Sequence, residues 1–485
     1  MLFNSYEYLF FLPIVFLIYW MIKPEKFRAQ NILLIIASYF FYACWDYRFL
    51  FLLIFSTFLD YFTGLKIFQS QTKQHKKIWL YISVIINLGF LGFFKYYNFF
   101  IESFSEFLTL LGFQPNIWTL KIILPVGISF YTFHGLSYVL DIYNEKIKPT
   151  RNIIDYSLFV SFFPLLVAGP IERATHLLPQ LQKPKYFNRS TAVDGLKQIL
   201  WGLLKKIVIA DNCAVIVDQV FTNYETMPAN ALIIGAIFFT FQIYGDFSGY
   251  SDIALGSARL LGVELLRNFN FPYFSRDIAE FWRRWHISLT TWFKDYLYIP
   301  LGGSRGSTWM CIRNTFIIFL VSGFWHGSNW TFIFWGAIHA LYFLPLLLTK
   351  NNRKNMEGVA FGRKLPTLKE FFQMGVTFML VVFAWIFFRA ESIPQAFSYI
   401  SNIFSPSLFS FDIGHYQIGG RSKVLITALL IISFVFVEWL GREKQYAIAD
   451  LGIKKKWKRY VLYYSIIIII LLFGEEGQQF IYFQF

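Results

Sequence analysis

Charge is what this chain has least of. Only 15% of its 485 residues are Asp, Glu, Lys or Arg, while 56% are hydrophobic and 21% aromatic. A soluble domain carries about 25% charged residues, so a water-facing globular fold of this length is excluded. Cysteine is scarce too. Cys44, Cys213 and Cys311 stand far apart, with no CxxC or other metal spacing, and read as free thiols. Walker motifs, dinucleotide fingerprints, nucleic-acid modules and the histidine-rich boxes of membrane di-iron enzymes are all missing. There is no internal repeat, the feature that many transporters show, and no low-complexity linker. Neither a metal nor a bound cofactor is expected.

Apolar runs such as "YLFFLPIVFLIYWMI" and "SIIIIILLF" recur from end to end. About 20 such residues at ~1.5 Å rise cross a ~30 Å hydrocarbon core. Spans are expected near 8–22, 31–45, 48–65, 78–100, 122–143, 195–221, 229–245, 330–348, 371–388, 424–440 and 460–473. Segment 153–170 has basic flanks on both sides and Pro164 within, which suits a re-entrant hairpin. The expectation is one membrane domain over 1–485. It is an all-α multi-pass protein of roughly 11–13 embedded helices, with re-entrant and interfacial elements around a central tunnel. The first apolar segment lacks a small-residue cleavage site and is followed by "KPEKFR", so it reads as a retained span.

The net charge of +15 does not point to nucleic acid, because the basic residues gather in short loops: "KPEKFR", "KIFQSQTKQHKK", "NEKIKPTR", "KNNRKNMEGVAFGRK" and "KKKWKR". Intervening loops such as "TNYETMP" and the terminal "GEEGQQF" carry none. This alternation is the positive-inside pattern. It puts Lys66–Lys77, Asn351–Arg363 and Lys454–Arg459 in the cytoplasm, and the N-terminus and Phe485 outside.

Residues 244–312 change character, crowding charges, glycines and tryptophans. Within them, Trp282, Trp285, Leu289, Trp292, Tyr296 and Ile299 recur every three or four residues. That spacing predicts one amphipathic helix over 276–299, lying in the cytoplasmic interface. His286 falls at the edge of its apolar stripe. Arg283 and Arg284 lie off it, as a solvated face or as contacts for donor phosphates. Asp246 and Asp252, in "GDFSGYSD", read as tunnel lining or as helix packing.

The stretch "SGFWHGSNW", Ser322–Trp330, puts polar residues between apolar runs. Thirteen helical residues from Arg313 to His326 rise ~20 Å, past the middle of a ~30 Å core. An ionisable group there faces a protein interior or a wet cavity. Gly323 and Gly327 bracket it and permit a break or a close helix contact. Trp325 and Asn329 belong to the same polar wall. A neutral imidazole there serves as a base toward a hydroxyl attacking an ester or thioester. A second histidine, His286, would hold the donor carbonyl or protonate the leaving thiol. Spacing alone does not bring the two together. His134 and His339 read as structural hydrogen-bonders, and His75, His176 and His415 as loop residues.

Several longer motifs carry a family resemblance. They are "LPVGISFYTFHGLSYVLDIY" (124–143), "FFPLLVAGPIERATHLLPQL" (162–181), "YGDFSGYSDIALGSARLLG" (244–262), "NFNFPYFSRDIAEFWRRWHISLTTWFKDYLYIPLGG" (268–303) and "SGFWHGSNWTFIFWGAIHA" (322–340). With these the chain resembles the membrane-bound O-acyltransferase family, in the bacterial branch that holds the membrane subunit of alginate O-acetylation. Ser328 and Ala340 stand where that branch often has Ala and Gly.

The resemblance implies that His326, in the Trp-His-Gly motif, is the catalytic residue and that His286 is the second polar position. It further implies acyl transfer from a cytoplasmic thioester, acetyl-CoA, through a membrane tunnel. The acyl group would go toward an extracytoplasmic polysaccharide or a partner acetyltransferase, with the protein in the bacterial inner membrane. The competing classes are a transporter or flippase, and a scaffold of a cell-envelope polysaccharide machine. The loop charges generate the first test. A cysteine placed at Gln74 is expected to resist an impermeant thiol reagent added outside intact cells, and strong labelling there rejects this topology.

Overall fold

The computed structural model describes residues 1–116, 119–167, 169–409, 420–453, 455–474, 478, 480 and 481; His415, Lys454 and Phe485 lie outside the described residues. Short polar side chains set where its helices begin. Ser5, Thr72, Asn152, Asp277, Ser307 and Ser392 each accept a first-turn backbone N–H, and Thr367 with Glu370 forms a reciprocal capping box. Thr72 starts its helix early. His75, expected in a loop, therefore sits in a first helical turn.

The described chain is all helical and forms two compact units: residues 1–192 with 257–266, and 193–256 with 267–485. The first unit holds α1 (Tyr6–Met21), α2 (Phe27–Asp46), α3 (Leu50–Gln69), α4 (Lys73–Leu91), α5 (Tyr97–Leu110), α6 (Ile128–Tyr143), α7 (Ile153–Ser161), α8 (Phe163–Leu166) and α9 (Ala174–Leu181). Segment 153–170 becomes α7 and α8, of 9 and 4 residues, too short to cross a bilayer.

Two buried carboxylates organise this unit. Asp60 of α3 accepts from Ser83 Oγ at 2.6 Å and Asn87 Nδ2 at 2.7 Å, both on α4. Glu172 accepts from the Leu266 backbone at 2.6 Å and lies 2.9 Å from His176, while its own N–H donates to His134 Nε2 at 3.1 Å. His176 thus belongs to α9 and not to a loop. The Glu172 carboxylate raises its imidazole pKa above the ordinary value.

The second unit holds most of α10 (Arg189–Leu203) and of α12 (Ala229–Leu260), with α11 (Asp211–Thr222), α13 (Ile278–Arg284), α14 (Ile287–Phe293), α15 (Thr308–His326), α16 (Trp330–Leu348), α17 (Leu368–Arg389), α18 (Ile393–Ile403), α19 (Arg421–Gly441) and α20 (Lys456–Phe473). A π-turn, Leu204–Ala210, joins α10 to α11 and turns both Lys205 and Lys206 inward. Lys206 bonds Asp211 at 2.7 Å and Asp246 at 2.8 Å; Lys205 bonds Asp252 at 2.5 Å and Ser248 at 2.9 Å. These pairs explain why α12 runs on to Leu260, where sequence reading ended the span at 245. Charges that would otherwise stop a buried helix are neutralised by α10 and its π-turn. Gly249 lets the two backbones meet, since a Cβ there would press on Gly202 O and Lys206 N.

Seven helical stretches among the described residues are long and apolar enough to cross a membrane: 24–69, 73–110, 229–260, 308–326, 330–348, 368–389 and 421–441. The other expected spans are helical but shorter or more charged. α1 and α6 have 16 residues each, and 195–221 carries the buried lysines.

The expected single helix over 276–299 is corrected. It breaks between α13 and α14, and Trp282, Trp285, Leu289 and Trp292 are buried in protein. An interfacial helix would leave that stripe to lipid; here aromatic packing takes it up.

Removing one partner of a buried ion pair costs about 3–5 kcal/mol, because the other charge stays buried. Lys206→Met is therefore expected to lower the melting temperature sharply in detergent. Adding Asp211→Asn and Asp246→Asn should recover most of that loss. A triple variant no more stable than Lys206→Met would refute the pairing account.

Candidate functional site

The break between α13 and α14 is where the site begins. His286 occupies it with φ 43° and ψ 54°, the left-handed region that is uncommon for any residue but Gly, though His enters it more often than most. A clamp from the preceding segment holds the turn. Ile287 N–H donates to Asn268 O at 2.9 Å, and Asn270 N–H donates to Arg284 O at 2.9 Å. The Asn268 side chain reaches the same turn. Its Oδ1 lies 2.9 Å from His286 Nδ1, accepts from Ser288 Oγ at 2.9 Å, and faces the Ser288 backbone N–H at 3.4 Å. Behind it, Asn268 Nδ2 donates to Ser251 Oγ of α12 at 3.2 Å.

His326 comes from the other side. It is the last residue of α15, and Gly327, in extended backbone, ends the helix. α15 and α16 form a hairpin in which Gly323 abuts the carbonyl of Phe332 so closely that a Cβ would collide with it. Trp325, Trp335 and Phe388 stand around the His326 ring, with centroids at 5.0, 5.2 and 5.5 Å. The imidazoles of His286 and His326 are 6.4 Å apart, centre to centre, and both are buried. Even pointed at each other, rings at that separation are beyond direct hydrogen-bond reach. Burial alone pushes the His286 imidazole down to about 3, so it is neutral at pH 7.

A cavity of about 550 Å³ lies beside the pair, lined by α13–α16 and the loop after α16. Lys294, Arg283, Asn352 and Arg353 line its polar part, and Ser322 of α15 lines its wall. Ser322 and His326, four residues apart on one helix, share a face. The cavity therefore approaches His326 along α15.

The remaining residues singled out from sequence fall elsewhere. Arg283 lines the cavity, but its guanidinium also donates to Asn352 O at 2.8 Å and Asn355 O at 2.7 Å. Arg284 is buried, bonded to Glu280 at 3.0 Å and to Asn270 O at 3.0 Å, and does not line that cavity. Asp246 and Asp252 are held in the lysine pairs. Asn329 caps α16 through the Thr331 N–H and donates to Glu391 O at 2.8 Å. His339 accepts from Trp282 Nε1 at 3.3 Å. Asn268 was not singled out from sequence. Its only signal was an amide among aromatics in "NFNFPYF", which gives no hint that it reaches residues 18 and 20 positions on.

The arrangement offers two buried imidazoles in an aromatic enclosure, with a largely apolar cavity beside α15. It suits proton transfer during acyl exchange. Comparison with known proteins agrees. The model of MBOAT, the membrane-bound O-acyltransferase family, matches residues 143–388. The chain is 40% identical over 456 residues to Probable alginate O-acetylase AlgI of Pseudomonas aeruginosa, covering 92% of this chain and 82% of that one. It is 37% identical over 428 residues to the peptidoglycan O-acetyltransferase of Helicobacter pylori, covering 82% and 78%. A teichoic acid D-alanyltransferase of Bacillus subtilis is 29% identical over 244 residues, 47% of this chain and 60% of that one.

The close hairpin contact generates a prediction. Overpacking a well-filled contact costs about 1–3 kcal/mol, and the atom in the way at Gly323 is backbone. Gly323→Ala should lower both the melting temperature and acyl transfer. An unchanged melting temperature would show that α15 and α16 do not meet there.

Proposed function

The chain belongs to the membrane-bound O-acyltransferase family and is an integral membrane O-acyltransferase, and on that footing we propose that it moves an acetyl group from cytoplasmic acetyl-CoA through an intramembrane tunnel. The acceptor is a hydroxyl on the extracytoplasmic side, on a polysaccharide or on a partner acetyltransferase that passes the group on. The membrane is the bacterial inner membrane, with both termini outside.

The observation that carries this reading is the buried imidazole pair, 6.4 Å apart, at the end of α15. His326 lies thirteen helical residues, ~20 Å, beyond Arg313, a depth that suits chemistry inside the bilayer. In the proposed reaction His326 takes the proton from the attacking hydroxyl. The oxygen adds to the thioester carbonyl, the C–S bond breaks, and the proton goes on to the leaving thiolate. The aromatic walls around His326 keep out water that would hydrolyse the thioester. The cavity beside α15 is apolar enough for the donor's arm, and Lys294 and Arg353 at its polar part suit phosphates. The relatives named for alginate and peptidoglycan O-acetylation favour a polysaccharide as final acceptor.

Removal of a general base slows a reaction by ~10²–10⁴-fold. His326→Ala, purified and with unchanged thermal stability, is expected to lose acetyl transfer by that factor. His339→Ala should affect stability more than rate. Near wild-type transfer by folded His326→Ala would overturn the assignment and return the transporter or scaffold class.

A further inference from the structure

His286 is held in strained backbone, in contact with the catalytic enclosure, by a residue with no assigned part in the reaction. The Asn268 side chain bonds three groups of the His286 turn and one of α12. Its amide orientation follows from one of those contacts. The Ser288 backbone N–H can only donate, and an amide nitrogen in its place would set donor against donor. The atom facing Ser288 is therefore the carbonyl oxygen, Oδ1. The same oxygen lies 2.9 Å from His286 Nδ1. An oxygen accepts, so Nδ1 carries the hydrogen. In a neutral imidazole the other nitrogen is then a bare lone pair. His286 Nε2 is buried and finds no partner among the described residues.

We propose that Asn268 is a positioning residue that fixes His286 as the tautomer protonated on Nδ1, so that Nε2 meets an O–H or N–H of the substrate and not the thioester carbonyl. The neutral ring has no hydrogen left to give a carbonyl oxygen. Of the two roles open to a second histidine, holding the donor carbonyl is excluded, and protonating the thiolate would first require a proton from elsewhere. His286 instead holds a hydrogen-bond donor of the substrate beside His326. The inference rests on the imidazole pair being the site of acyl transfer.

The groups packed on the His286 ring are Phe247 of α12 at 4.7 Å, Phe269 at 6.5 Å, Trp325 at 6.0 Å and His326 at 6.4 Å. Only His326 among them titrates. A charge introduced at position 268 therefore meets no titratable group packed on the ring other than His326. It would lie behind the ring, against Nδ1, in a small polar pocket that also contains Lys205, Asp252, Arg267 and Glu438.

Four variants and one spectrum test this. Asn268→Asp keeps the acceptor oxygen and the side-chain size but adds a negative charge. A carboxylate within hydrogen-bond reach raises an imidazole pKa by about 1–3 units. Protonated His286 has no lone pair on Nε2, so the acid limb of the pH–rate profile should move to higher pH, with activity recovering at alkaline pH. Asn268→Ala frees the tautomer and should lower kcat by about 10–100-fold, as loss of an imidazole-orienting partner does elsewhere, while KM for the thioester stays unchanged.

Nitrogen-15 spectra of histidine-labelled wild-type protein in bilayers, with the His286 signal assigned by difference from His286→Gln, should show Nδ1 protonated and Nε2 bare. This readout needs neither activity nor a correctly folded Asn268 variant. A bare Nδ1, or an Asn268→Asp profile identical to wild type, overturns the proposal. If His286→Ala abolishes transfer in that case, the site reading stands and only the tautomer assignment falls. If His286→Ala is fully active, the site reading itself is wrong.

Discussion

In hydrocarbon a charge without a partner costs several kcal/mol, and the second unit is arranged around meeting that demand twice over. Lys205 and Lys206, adjacent in a π-turn, take Asp252 and Asp246 of α12 as their partners. The two contacts lie six residues apart on α12 and fix both its rotation and its height against the turn. Ser251 sits beside Asp252, so the same pairing places the hydroxyl that bonds Asn268. From Asn268 the chain of contacts passes to His286, and across the enclosure to His326. The placement of His286 is thus referred back, through Asn268 and Ser251, to two buried ammonium groups.

The enclosure depends on packing as much as on hydrogen bonds. Trp335 and Phe388 flank His326, while Phe247 and Phe269 hold His286. Aromatic rings fill volume with few rotamers and keep their polar handles at the edge. Two buried imidazoles are thereby kept at a fixed separation by ring packing. In the proposed reaction the same walls would keep water from the thioester.

Some of this was legible in the sequence because the signal was local. The span at 330–348 coincides with α16, an apolar run bounded by a capping Asn329 and by Thr349. The helical rise from Arg313 to His326 could be counted because α15 is unbroken between them. Other features depend on partners far along the chain. Trp282, Trp285, Leu289 and Trp292 keep a helical spacing straight through the break at His286, so periodicity reads one helix where a clamp from Asn268 makes two. Asp246 and Asp252 read as tunnel lining or helix packing because nothing near them shows that lysines some 40 positions earlier (205 and 206) claim both. Arg284 resembles its neighbour Arg283 on paper; Glu280, one turn back, draws it inward.

The left-handed backbone of His286 has a further consequence for how the protein can vary. Position 286 demands a conformation that suits glycine or asparagine and strains most other residues by of order 1–3 kcal/mol. Holding an imidazole there gives up stability in exchange for placement. Any drift toward a more stable fold at this position leads away from histidine, with asparagine the substitution that fits the backbone and still offers a polar side chain. Substitutions such as leucine or valine would combine loss of the imidazole with retained strain. The site is therefore a place where selection for stability and selection for function pull in opposite directions, and where the tolerated alternatives are set by the main chain before the chemistry is considered.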